Sequence, residues 1–214
     1  MIKSSRSKPC FITFEGIDGC GKSTQALLVY RDLTKRGFSV AMFREPGSTN
    51  LSEKIRSILL NEKNTISDIT ELLLYQAARS ELTAREIRPE LAKGNIVLCD
   101  RYYDSTTAYQ GYGRGLDLKA VRTLNRIATK GLTPDLTLLF DIDLKTAISR
   151  RKKKKDRLES ESKSFFVKVR KGFQEIARKE RRRIKVVDAT QPVENVFLDV
   201  KKIISRKLKI DVSS

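Results

Sequence analysis

The sequence predicts an α/β fold, a three-layer arrangement with a five-stranded parallel sheet flanked by helices. Three observations carry this. Short apolar runs, among them Phe11-Ile12-Thr13-Phe14 and Ile96-Val97-Leu98-Cys99, have the length and continuity of strands buried on both faces. Longer stretches between such runs place apolar residues at helical spacing. Strand and helix patterns alternate with no long linker and no internal repeat, as a parallel sheet with crossover helices requires. Ligands of such sheets gather at the carboxyl ends of the strands.

The first strand spans 11–15, and a helix follows to about residue 35. Gly37 stops that helix, and Lys35-Arg36 suit the negative end of its dipole. Residues 39–44 form the second strand. Glu45-Pro46-Gly47-Ser48 is a turn, and 51–60 a short amphipathic helix. Ser67-Asp68 caps a long helix reaching toward Lys93, divided or kinked near Pro89. The third strand is 96–99. A helical region starts near Ser105, with Gly111, Gly113 and Gly115 marking a break, and 118–129 is another helix. Strand four spans 136–140, and helix 144–152 follows it. Helix 162–178, strand 184–187 and helix 193–205 complete the chain.

The 214 residues are expected to form a single domain, 1–214. Hydrophobic residues make up 39% and charged residues 33%, the balance of a soluble globular protein. No apolar run approaches the roughly 18 residues of a membrane span, and residues 1–9 lack the apolar stretch of a signal peptide, so a cytoplasmic location is expected. The three cysteines have no disulfide or zinc spacing. Cys10 and Cys99 read as buried thiols. Cys20 lies near a helix N-terminus that could lower its pKa, although filling a small-residue position is the favoured reading. The formal net charge is +18, and residues 145–183 alone hold 17 Lys/Arg against 5 Asp/Glu, an excess of +12. With no aromatic stacking platform in that stretch, the excess reads as a phosphate-handling site plus a solvated face. No specific nucleic acid is expected, and weak polyanion binding is a side effect.

Gly16-Ile17-Asp18-Gly19-Cys20-Gly21-Lys22-Ser23 is G-x-x-x-x-G-K-S, between a strand and a helix. Glycines at this spacing let successive backbone N–H groups close around a polyphosphate. The lysine reaches the β/γ-phosphates, and the serine hydroxyl takes Mg²⁺. Three arginine-bearing segments follow other strands: Arg44-Glu45-Pro46-Gly47, Asp100-Arg101-Tyr102, and the basic stretch 150–157. Phosphoryl transfer needs positive groups on donor, acceptor and migrating oxygens, and these segments can supply them.

With these blocks in order, and with Ala77-Ala78-Arg79, Ser105, Ala108-Tyr109-Gln110-Gly111, Asp156-Arg157-Leu158-Glu159 and Asp188-Ala189-Thr190-Gln191-Pro192, the chain resembles the thymidylate kinases. The resemblance spans about 11–200. It implies a P-loop kinase fold with a short basic lid at about 150–160, and the reaction ATP + dTMP → ADP + dTDP with Mg²⁺, a step toward dTTP. It implies that Gly16 to Thr24 bind ATP, that Ser23 and Asp100 serve the metal, and that Arg44 and Arg101 grip the dTMP phosphate. Asp18 would face the acceptor sugar or assist the metal. Tyr75 would stack on thymine and Arg79 would bond its edge, Thr106 and Gln110 would occupy further base-contact positions, Ser105 would bind dTMP, and Tyr109 would press against the deoxyribose. The P-loop carries no arginine, so the catalytic charges would come from the lid, as in bacterial members, through Arg150 and Arg157 with Arg151 in reserve. Lys152 to Lys155 replace the more usual arginine-glycine segment. With Lys22, Arg101 and Asp18, the lid arginines complete the expected catalytic set. Family members commonly pair as homodimers, here through helix 70–93.

Alternatives stay open at this level. Tyr75 and Tyr109 can be core, Arg79 can pair with a carboxylate, and Arg150 and Arg157 can belong to a solvated loop. The acceptor can be another nucleotide or deoxynucleoside, or the chain can be a nucleic-acid-binding P-loop ATPase.

Overall fold

Five strands form one sheet in the order β2-β3-β1-β4-β5, all parallel. They are β1 (Cys10–Glu15), β2 (Val40–Arg44), β3 (Ile96–Asp100), β4 (Leu136–Asp141) and β5 (Ile184–Asp188). The computed structural model describes residues 8–150 and 156–211. β1 lies in the middle and is buried along its whole length. Its alternate residues feed two cores. Ile12 and Phe14 join the larger cluster, while Phe11 packs with Leu82, Val97 and Tyr102 on the other face. A strand sandwiched between two helical layers has no solvated face, which is why it reads as an unbroken apolar run.

The register decides where chemistry can occur. Phe14 pairs with Asp100, and Asp100 with Arg44. The carboxyl ends of β1, β3 and β2 therefore finish at one edge, and the residues after them share one cleft.

The helices are α1 (Lys22–Lys35), α2 (Asn50–Leu60), α3 (Asp68–Leu82), α4 (Arg88–Ala92), α5 (Tyr103–Thr106), α6 (Leu118–Thr129), α7 (Leu144–Ser149), α8 (Lys163–Lys179) and α9 (Val193–Leu208). Oxygen-bearing caps start several of them: Thr49, Asp117, Asp143 and Ser162 each accept from first-turn N–H groups. At α1 the cap is Gly21, with no side chain to occupy those donors.

The expected division of the long helix near Pro89 is present, and the glycine-rich segment differs from the sequence reading. The long helix is divided by a π-helical turn, Thr83–Ile87, just before Pro89. Gly111 and Gly113 do not break the chain; they sit inside a π-helical segment, Thr107–Gly113, and only Gly115 (φ +79°) marks the exit. The glycines serve packing instead. A Cβ on Gly113 would lie 2.7 Å from the Phe165 ring, and one on Gly172 would lie 2.8 Å from Tyr112. Their absence lets α8 approach this segment, which carries Tyr109 and Gln110.

Candidate active site

The loop after β1 wraps toward the N-terminus of α1. Gly19 has φ +88°, and a Cβ there would meet the Ala147 carbonyl oxygen at 2.2 Å, so only glycine fits. Lys22 is buried beside the loop, with Nζ 3.2 Å from Asp18. An open groove of about 560 Å³ is lined by this loop, Arg150, Gln191 and Val193. First-turn N–H groups without a side-chain cap, a lysine and a positive helix end make it an anion site. Cys20 is buried, and burial outweighs the nearby Lys22 to push its thiol pKa up, so it fills a small-residue position.

A second cleft opens on the other side of Asp18. Its walls include Tyr75 and Arg79 from α3, Arg101 after β3, and Thr106, Tyr109 and Gln110. Asp18 lines both cavities. Burial would raise its carboxyl pKa, but the charges of Arg101 and then Lys22 hold it far below the usual range. The boundary between the two cavities is thus a fixed anion clamped by two cations.

Arg101 adopts φ +73°, which a non-glycine residue adopts only when its surroundings enforce it. Its guanidinium donates to Gly16 O and Ser105 Oγ at 2.9 Å each, and to Asp18 at 2.6 Å. It also lies 5.2 Å from the Tyr109 ring centre, and the Tyr109 hydroxyl is 3.2 Å from Asp18. Beneath it, Glu15 accepts from Tyr102 N at 2.7 Å and from Ser105 Oγ at 2.5 Å. Burial, helped by the charge of Asp104, pushes the Glu15 carboxyl above the usual carboxylate range. Glu15 was not among the residues singled out as site-forming, yet it fixes the backbone on which Arg101 sits. The signal was present: a lone acid closing an apolar strand is rarely buried without a task.

Ser23 donates to Asp100, and the other Asp100 oxygen is buried with no partner among the described residues. A hydroxyl beside one carboxylate suits a cation that takes its remaining ligands from phosphate and water.

Of the other expected arginines, Arg79 and Arg150 border the cavities, whereas Arg44 and Arg157 line neither. Arg44 is half exposed and turned to Glu53, with a forked contact at 2.9 and 3.0 Å, and it lines neither cavity. Arg79 reaches the cleft, but its nitrogens are already engaged by Glu45 at 2.7–2.8 Å and by Gln76, Asn125 and Tyr102 O. Arg150 borders the groove, donating to Ala189 O at 2.7 Å and Thr190 O at 3.1 Å. Arg157 turns away to Glu71 at 2.6 Å and Leu59 O at 2.8 Å. Arg151 and Lys152 to Lys155 lie outside the described residues. Arg56 also lines the cleft, donating to Pro46 O at 3.0 Å. No motif marked it, because its role depends on how α2 turns.

The thymidylate kinase family model matches residues 14–200, which include both cavities and the strand ends between them. The chain belongs to the thymidylate kinase family. It is 46% identical over 200 residues to the thymidylate kinase of Caldanaerobacter subterraneus subsp. tengcongensis, covering 93% of this chain and 96% of that one. It is 47% identical over 191 residues to that of Prosthecochloris aestuarii, covering 84% and 86%. The crystal structure of thymidylate kinase from Ehrlichia chaffeensis superposes with a TM-score of 0.75 at 36% identity, covering 92% of this chain and 99% of that one. As a thymidylate kinase family member the chain is a kinase that uses ATP with a metal ion. Among the described residues no helix is long and apolar enough to cross a membrane.

Proposed function

We propose that the groove at the P-loop holds ATP, that the cleft at Arg101 holds dTMP, and that Asp18 marks the line along which the phosphoryl group passes. The reaction is ATP + dTMP → ADP + dTDP. The observation that carries the assignment is the shared wall: one residue, clamped by a donor-side lysine and an acceptor-side arginine, borders both cavities.

An oxygen of the dTMP phosphate attacks the γ-phosphorus as the bond from that phosphorus to the β–γ bridging oxygen breaks. The dTMP phosphate is already anionic near neutral pH, so no general base is needed, and positioning with charge stabilisation suffices. Lys22 and the loop N–H groups hold the donor phosphates. Arg101 orients the acceptor phosphate through its planar fork. Ser23 and Asp100 would hold Mg²⁺, and the ion would supply positive charge to stabilise the transferring phosphoryl group. Tyr75 and Gln110 receive the base, and Tyr109 occupies the position of a ribose 2′-hydroxyl. Arg150 borders the donor groove and serves ATP, within a single domain whose lid spans about 150–160. An ADP-release assay with ATP and Mg²⁺ against dTMP, dUMP, dCMP, AMP and single-stranded DNA checks the acceptor. Turnover is expected with dTMP above all others. Equal or greater turnover with another acceptor would reject the assignment.

The same reading includes a homodimer in the cytoplasm. α3 packs between α2 and α6, and the outward face of this layer carries exposed Leu51, Ile58, Ile69, Leu73 and Ile127. A second copy of the chain covers that apolar face. The inner face of α3 carries Tyr75 and Arg79, so pairing would stiffen a wall of the acceptor cleft. Leu73→Glu is expected to convert a dimer into a monomer in sedimentation equilibrium. A monomeric wild type would remove this assignment.

A further inference from the structure

Glu71 on α3 is fully buried, and the phosphoryl-transfer chemistry makes no use of it. Its carboxylate is approached from three directions. Gln110 Nε2 donates at 2.8 Å, Arg114 contacts both oxygens at 3.1–3.2 Å, and Arg157 ion-pairs at 2.6 Å. Burial opposes the charge, but hydrogen bonds from Arg114 and Gln110 hold the carboxyl below its ordinary range. An ionised carboxylate offers lone pairs only, so it dictates which end of a neighbouring amide can face it. Gln110 must turn its NH₂ to Glu71. Its carbonyl oxygen is then the end presented to the acceptor cleft that Gln110 lines. The Thr106 hydroxyl, on the same wall, is buried with no partner among the described residues.

We propose that Glu71 is a positioning residue for base recognition, locking the Gln110 amide so that the cleft offers an acceptor to a ring N–H. The inference rests on the cleft being the dTMP site. A base with an imide N–H, thymine or uracil, meets this acceptor with a donor. Cytosine brings an unprotonated ring nitrogen, and two acceptors then face each other. A buried polar group that loses its partner discriminates far better than a methyl pocket, which separates ligands by only about 10–200-fold.

Titration calorimetry with dTMP, dUMP and dCMP tests this. The wild type is expected to bind both imide nucleotides more tightly than dCMP. In Glu71→Gln the neutral partner accepts or donates, Gln110 can reverse, and the dTMP/dCMP affinity ratio is expected to fall by about tenfold or more. Glu71→Gln combined with Gln110→Glu moves the carboxylate across the same hydrogen bond and is expected to restore imide preference. Equal loss for all three ligands in Glu71→Gln would show that Glu71 serves only Arg114 and Arg157, and would overturn the proposal. Should that variant not fold, hydrogen exchange of the Gln110 side-chain amide in the wild type decides. Slow exchange with dTMP bound supports the lock, and exchange at the rate of an open amide overturns it. A wild type that binds no dTMP would instead reject the site assignment.

Discussion

Replacing Arg101 with alanine is expected to lower kcat/KM for dTMP by about three to four orders of magnitude, since positioned arginines contribute roughly 10³–10⁵ to phosphoryl transfer. That corresponds to about 4–5.5 kcal/mol of transition-state stabilisation. The other cations of the cleft are engaged elsewhere, Arg79 by Glu45 and Arg56 by the Pro46 carbonyl. Lys22 is committed to the donor side of Asp18, and Arg44 is turned to Glu53. Arg101 also organises the junction through Gly16 O, Ser105 and Asp18, so its loss releases the wall between the two cavities. Arg101→Lys restores a charge but not a two-pronged donor, and is expected to recover only part of the rate. Steady-state kinetics with each substrate varied in turn checks this. A variant that kept near-normal turnover with dTMP and lost only affinity for ATP would contradict the acceptor role.

Arg79→Met is expected to cost about 3–5 kcal/mol of stability, the usual loss when one partner of a buried ion pair is removed. Both side chains are almost wholly buried, and the guanidinium satisfies Glu45, Gln76, Asn125 and the Tyr102 carbonyl together. The pH dependence follows from Glu45. Burial raises its carboxyl to about 7 even with Arg79 beside it, and without that cation the value rises further. A raised folded-state pKa gives stability that is full below the unfolded value and lost as pH rises through the folded one. The variant should therefore lose more stability at pH 8 than at pH 5. A second substitution, Glu45→Met, should recover much of the loss by removing the stranded acid. Chemical denaturation at the two pH values tests this, and a loss under 1 kcal/mol that is flat with pH would count against it.

The sheet and the P-loop were legible because both are local signals. A strand buried on two faces is an apolar run, and a loop that closes on phosphate needs its glycines at fixed spacing. The π-helical segment was misread for a physical reason: glycine is ordinarily a helix breaker, and nothing nearby in sequence reveals that Gly113 faces the Phe165 ring on α8. Charge partners were the least legible part. Whether Arg79 meets a base or Glu45, Arg157 a phosphate or Glu71, and Arg44 a substrate or Glu53 depends on which helices lie side by side. Glu71 carries no motif of its own. Only the convergence of α3 with the segments holding Gln110, Arg114 and Arg157 makes it a hub.

In the proposed reaction two nucleotide sites meet at Asp18 and exchange a phosphoryl group. The most direct measurement incubates the protein with γ-labelled ATP, Mg²⁺ and dTMP and resolves the nucleotides. One labelled dTDP for each ADP formed is the expected result. Label released as inorganic phosphate, with dTMP unchanged, would make the chain an ATPase and contradict the account.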